Sequence, residues 1–249
     1  MTTPHRIVVI GATSAIAHQC SRLWAAQGPC DFLLVGRHAA RIEPLAADLR
    51  ARGAGTTTRI VELQFNDTDA IAALAQETGA VDTVLIAHGA LPDQAACQDD
   101  LHASSSALMT NGLSPVLMAE AFVGPMQRAG HGRVGIIGSV AGDRGRKSNY
   151  LYGAAKGMVD IYAQGLQHRL ALAGSPVRVT LAKPGPTDTP MTAHLKQNGA
   201  KLASAQEVAQ RIVNAISKGQ PVVYAPGKWA IIMFVIRHLP RLVFNRMDI

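Results

Sequence analysis

The chain has 249 residues, 48% hydrophobic and 16% charged, so it can bury a large core and is not disordered. Its net charge of +7 invites nucleic acid, but the Lys and Arg are spread along the chain with no nucleic-acid-binding motif, which leaves anionic cofactors, phosphorylated substrates or an anionic membrane. Cys20, Cys30 and Cys97 are scattered, odd in number and without metal spacing, and read as reduced thiols of a cytoplasmic protein with no metal site.

No secretory signal opens the chain, because MTTPHRIVVIG goes straight into a strand predicted at 6–10. VVIGATSAIAHQC then enters a helix predicted over 14–27. Gly11 permits a tight turn, and the small Ala12, Ala15 and Ala17 let the helix start approach a ligand. The exposed amides around Thr13, Ser14, Ala15 and Ile16 can hold a pyrophosphate with help from the helix dipole. An ordinary strand-to-helix turn is the bland alternative. The second strand, at 32–35, ends in VGRHAAR. Enzymes specific for NAD usually place a carboxylate here for the ribose 2′-hydroxyl. This chain has Arg37 instead, with Arg41 a helical turn further on, so NADP(H) is favoured and NAD(H) is the alternative. The other reading of Arg37 is a solvated arginine at the start of a helix over 39–52.

After the third strand (59–63), Asn66 and Asp67 in NDTD either contact adenine or cap the following helix. A fourth strand (81–87) leads to a long helix over 101–129 that carries Asn111. The fifth strand (133–138) delivers Ser139 to its carboxyl edge, a helix over 150–173 follows, and strands at 177–182 and 221–225 complete the set. These strands are continuous and branched rather than alternating, as in sheets covered on both faces. The fold class is therefore α/β: a single Rossmann-type doubly wound parallel sheet with helices on both faces, expected to form one domain over 1–249.

YLYGAAKGM places Tyr152 and Lys156 four apart, on one face of a helix. A lysine ammonium beside a phenol favours the phenolate, so the tyrosine pKa is expected to fall from its usual value near 10. Such a tyrosine can exchange a proton with a carbonyl or carbinol oxygen. Ser139 can hydrogen-bond the same oxygen, and Asn111 can hold a water that relays protons to Lys156. In KPGPTDTPM, Pro184 and Gly185 fix a loop, and Thr189 can bond a nicotinamide amide or a phosphate.

This combination resembles the short-chain dehydrogenase/reductase family across essentially the whole chain. The resemblance implies that Asn111, Ser139, Tyr152 and Lys156 form a catalytic tetrad. It also implies that the loop 184–189, including Thr187, closes on the nicotinamide. Two departures are evident: only Gly11 remains of the usual three glycines, and IAHG, with His88 and Gly89, replaces Asn-Asn-Ala-Gly. A reductase of another carbonyl substrate, such as a 3-oxoacyl thioester or a steroid, is one alternative. A non-catalytic dinucleotide-binding sensor is another, opposed by the intact tetrad.

A narrower resemblance is to the decaprenylphosphoryl-2-keto-ribose reductases, carried by Pro184, Gly185, Thr189, Met191, Ala193, His194, Leu195 and Lys196, and by Ala225, Pro226, Met233, Arg237, His238, Pro240, Arg241 and Phe244. It implies a lipid-linked keto-sugar substrate, supplied by a flavin-dependent oxidase. Arg144, Arg146 and Lys147 would then place positive charge beside Ser139. The apolar, basic segment 228–249 is expected to reach the inner face of the cell membrane peripherally, since its longest apolar run is far below the roughly 20 residues of a span. Trp229, Ile232, Phe234 and Ile236 would supply its apolar area, and Pro240 should break its helix. Packing on its own sheet or on a sister subunit is the alternative, and a homo-oligomer is expected.

Overall fold

The structure, a computed structural model, describes residues 3–193, 197 and 199–248. His194, Leu195 and Lys196 lie outside the described residues.

Strand β1 (His5–Ile10) leads into α1 (Ala15–Ala25), followed by β2 (Cys30–Gly36), α2 (Ala39–Arg52), β3 (Thr57–Glu62), α3 (Thr68–Thr78) and β4 (Thr83–Ile86). Two short helices, α4 (Gln94–Asp99) and α5 (Leu101–Leu108), then run into a π-helical turn (Met109–Leu113) and α6 (Ser114–Ala129). Strand β5 (Arg133–Ile137) and a 3₁₀ turn (Val140–Gly142) precede α7 (Tyr150–Leu172) and β6 (Arg178–Pro184). The remainder comprises β7 (Thr187–Asp188), β8 (Ala203–Ser204), α8 (Ala205–Ser217), β9 (Val222–Ala225), α9 (Lys228–His238) and α10 (Arg241–Phe244).

Seven strands form one parallel sheet in the order β3-β2-β1-β4-β5-β6-β9. Both faces are buried. On one, Val8, Ile10, Val84 and Ile136 meet α3, α6 and α7 through Leu74, Phe122 and Val159. On the other, Ile7, Val9, Leu34 and Leu85 meet α1, α2 and α8 through Trp24, Leu45 and Ile212. This double covering explains the unbroken apolar strands. The order reverses between β1 and β4, so the loops after them diverge and leave a crevice at their carboxyl ends.

The helix expected over 101–129 runs through those residues as α5, the π turn and α6, and what the sequence did not show is the π turn within it. Gly112 lies so close to α7 that an added Cβ would come within 2.3 Å of Met158 Cε and 3.3 Å of Ala155 Cα. The turn has one residue more per hydrogen-bonded ring than an α-helix, and it holds Asn111 fully buried beneath the β4 loop.

The break at Pro240 is present: α9 ends at His238 and α10 begins at Arg241. The tail is only partly free, however. Met233 is fully buried and Trp229 and Ile236 are turned inward, while Ile231, Phe234, Val235, Leu242 and Val243 remain exposed. Of the residues expected to supply its apolar area, Trp229 and Ile236 are therefore half-buried, while Ile232 and Phe234 are exposed.

Candidate active site

A cleft of about 320 Å³ opens at the carboxyl ends of the central strands. Fifteen of the residues expected from sequence line it: Gly11, Thr13, Ser14, Ala15, Ile16, Arg37, His88, Gly89, Ser139, Tyr152, Lys156, Pro184, Gly185, Thr187 and Thr189.

Gly11 has φ +82° and packs on the loop after β4, where a Cβ would stand 2.4 Å from the His88 nitrogen. Only glycine meets both demands. Its amide and that of Ala12 donate to Val35 O, which pins the turn to β2. Ser14 caps α1, leaving the first-turn amides of Ala15 and Ile16 without partners inside the helix. Arg37 and Arg41 are exposed at the cleft wall, and neither guanidinium makes a hydrogen bond or ion pair among the described residues. The set fits a dinucleotide: close backbone approach, a helix N-terminus for the pyrophosphate and two unpaired guanidiniums for a further phosphate.

Asn66 and Asp67 do not line this cleft. Asp67 caps α3, accepting from Ala70 N at 3.0 Å, and Asn66 is exposed beside it. Phe65 lines the cleft instead. Its ring lies 4.4 Å from that of His88. His88 bonds Ser114 Oγ through Nε2 at 2.8 Å, and its buried Nδ1 has no partner among the described residues. Burial, then the charges of Lys156 and Arg37, push its pKa down to about 3, so the imidazole is neutral.

Tyr152 and Lys156 project from the first two turns of α7, which crosses the 3₁₀ turn closely. A Cβ on Gly153 would stand 2.8 Å from Ala141 O, which is why the helix face between them must stay slim. Lys156 Nζ donates to Ile137 O at 3.0 Å and sits 5.8 Å from the centre of the Tyr152 ring. Burial pulls its pKa down to about 8. The expected fall in the Tyr152 pKa is corrected: burial pushes the phenol up to about 12, against a lowering hydrogen bond with Ser139. Desolvation of the phenolate is the larger of the two effects.

Asn111 sits one layer below. Its Oδ1 accepts from Ala90 N at 2.9 Å and its Nδ2 donates to Ala107 O at 3.0 Å. The carboxamide that was expected to hold a water is thus engaged on both sides, fixing the loop after β4. On the far wall, Thr187 Oγ1 donates to Gly185 O at 2.9 Å, and Thr189 begins a capping box with Thr192.

The three cations of the β5–α7 loop do not share one role. Arg144 donates through Nη1 to the carbonyls of Ile236, Arg237 and Leu239 at 2.6, 3.2 and 2.6 Å, and lies 3.9 Å over the Phe244 ring. Lys147 pairs with Asp248 at 2.8 Å. Only Arg146 lines the cleft. Sequence reasoning also missed a buried network behind the site. Lys183 Nζ contacts Asp143 Oδ1 and Asp160 Oδ2, each at 2.6 Å, and Tyr224 donates to Asp143 Oδ2 at 2.7 Å. It joins the segment after Ser139, α7, β6 and β9. Lys183 directly before the Pro184 loop was its one sequence sign.

Residues 5–200 match the family model described as short chain dehydrogenase. Over 248 residues the chain is 34% identical to an uncharacterised oxidoreductase of Mycobacterium tuberculosis, spanning 97% of this chain and 96% of that protein. A short-chain dehydrogenase from Sphingobium yanoikuyae in complex with NADPH superposes with a TM-score of 0.81 at 20% identity, covering 95% of this chain and 97% of that one. Another, from Burkholderia cenocepacia in complex with NADP, gives 0.82 at 18% identity, covering 98% and 97%. At those identities the structural likeness concerns the fold.

Proposed function

This chain belongs to the short-chain dehydrogenase family, is an NAD(P)-dependent oxidoreductase, and we propose that it works as an NADPH-dependent ketoreductase on a polyprenylphosphoryl 2-keto-pentose. The observation that carries the ketoreductase reading is the convergence of Ser139, Tyr152 and Lys156 on one cleft that also holds Gly11, the α1 N-terminus and Arg37. Bound NADPH supplies the hydride. Ser139 and Tyr152 hold the substrate oxygen, and Tyr152, protonated across the neutral range, gives that oxygen its proton. Lys156 steadies the phenolate left behind, and Asn111 fixes the loop carrying Gly89 and Ala90. Ala15, Ile16 and Arg37 take the phosphates, and Thr187 and Thr189 belong to the loop that covers the nicotinamide.

Support for the lipid-linked substrate is narrower: the sequence resemblance, and a tail whose exposed Ile231, Phe234, Val235, Leu242 and Val243 stand among Arg237, Arg241 and Arg246. No helix among the described residues is long and apolar enough to cross a membrane, so attachment would be peripheral. The keto group would come from an earlier oxidation by a flavin-dependent enzyme.

The test is hydride transfer to a polyprenylphosphoryl keto-pentose with each reduced cofactor, using wild type and Arg37→Ala. Turnover with a preference for NADPH that Arg37→Ala erases is expected. Flotation with anionic vesicles at low and high salt tests attachment. Binding that salt reverses supports it, whereas no binding at either salt leaves the exposed face to a second copy of the chain.

A further inference from the structure

The α7 side of the cleft carries two polar groups that the cofactor loops do not explain. Arg146 and Asn149 lie just ahead of Tyr152 and both line the cleft. Arg144 and Lys147, their neighbours, are engaged by the tail. Arg146 is not: its Nε is enclosed without a partner, and it forms no ion pair among the described residues. Burial lowers its pKa from the ordinary arginine value, as expected for a charge held partly out of water. Asn149 is the N-cap of α7, a position where Asn usually accepts from a first-turn amide. Here it makes no capping bond, and its Oδ1 is enclosed without a partner. A buried donor and a buried acceptor are costly unless something satisfies them. Their position beside Tyr152 makes the substrate that partner.

We propose that Arg146 and Asn149 form the specificity subsite of the reductase, Arg146 binding an oxyanion on the substrate and Asn149 accepting from a hydroxyl near its carbonyl. This rests on the ketoreductase reading and adds the side chains that select an anionic, hydroxylated ketone over a neutral, apolar one. A fork of guanidinium donors suits phosphate or carboxylate geometry. The oxyanion is supplied either by a free sugar phosphate or by a lipid-borne one.

Ribulose 5-phosphate and ribulose, reduced with NADPH, test the assignment in wild type, Arg146→Leu, Arg146→Lys and Asn149→Ala. Wild type should prefer the phosphorylated ketone by about tenfold or more in kcat/KM, and Arg146→Leu should erase that preference through KM. Ribulose itself should change by less than about threefold, and Arg146→Lys should recover part of the loss. Asn149→Ala should weaken both ketones alike. No preference in wild type, or an equal loss on both ketones in Arg146→Leu, overturns the assignment. The same ketone on a polyprenyl phosphate, run in parallel, identifies the source: the better substrate is the native form, and both should depend on Arg146. Calorimetry of ribulose 5-phosphate with NADP⁺-loaded protein reads the subsite without turnover. Binding lost in Arg146→Leu, with NADP⁺ affinity kept, supports it even if no ketone is reduced, a result that would sink only the ketoreductase reading. Absence of binding in wild type overturns the subsite.

Discussion

Burial moves Tyr152 and Lys156 in opposite senses, the phenol up to about 12 and the ammonium down to about 8. The phenol therefore keeps its proton at any working pH, the state a reductase needs at the moment of hydride arrival. Lys156 is the member that titrates. As pH rises through about 8 the ammonium is lost, and with it the charge that stabilises the phenolate after proton donation. The kcat/KM for reduction should accordingly fall above about pH 8, and an alkaline limb near 10 would contradict the burial argument. Tyr152→Phe should lower kcat by roughly 10²–10⁴-fold with NADPH affinity unchanged, checked by steady-state kinetics and a fluorescence titration of the cofactor. The Tyr152–Lys156 spacing was legible because a helical turn fixes it. The fate of Arg144, Arg146 and Lys147 was not, because near neighbours in sequence meet different partners: carbonyls of the tail, a cleft, and Asp248.

At the scale of elements, the Lys183 network explains why Ser139 and the Pro184 loop keep their spacing. Burial opposes the Lys183 charge, but the hydrogen bonds it donates to the carboxylates of Asp143 and Asp160 override it and raise the pKa. Its stabilising contribution is fully present through the neutral range and is lost only as pH climbs past the ordinary lysine value. With Lys183 and Asp143 side chains only 4% and 0% exposed, Lys183→Met leaves two carboxylates without their cation. It should cost about 3–5 kcal/mol, read by chemical denaturation. Adding Asp143→Asn should recover part of that, and no recovery would argue against a charge origin. Strand positions and the helices expected at 39–52 and 150–173 were visible in the sequence, since apolar runs and helical spacing repeat. The π turn was not, because one extra residue in a long apolar helix leaves the composition unchanged.

For the molecule as a whole, the doubly wound sheet was readable from strands spaced by helices. The place of the tail was not. Its apolar residues look alike in sequence, yet Trp229 lies on Gly185, where an added Cβ would come within 1.9 Å of the indole nitrogen, while Phe234 is 65% exposed. Removing residues 229–249 should therefore lower turnover of a soluble ketone as well as a lipid-linked one. Full activity of the truncated chain on ribulose 5-phosphate would show that the Trp229 contact is dispensable.

The tail meets one wall of the cleft at Gly185 through Trp229, and through the carbonyls at the end of α9 it holds Arg144, in the loop that carries Arg146 to the cleft. Two events at separate places then share one free energy. A ligand that orders these loops must tighten the tail, and a surface that holds the tail must raise affinity in the cleft by the same factor. Hydrogen exchange gives the readout: amides of 228–244 should slow when NADP⁺ is added, and Arg144→Ala should abolish the slowing without abolishing cofactor binding. Exchange that ignores the cofactor would mean that the two regions are thermodynamic strangers. If they are coupled, the enzyme is most competent for substrate where its tail is already held.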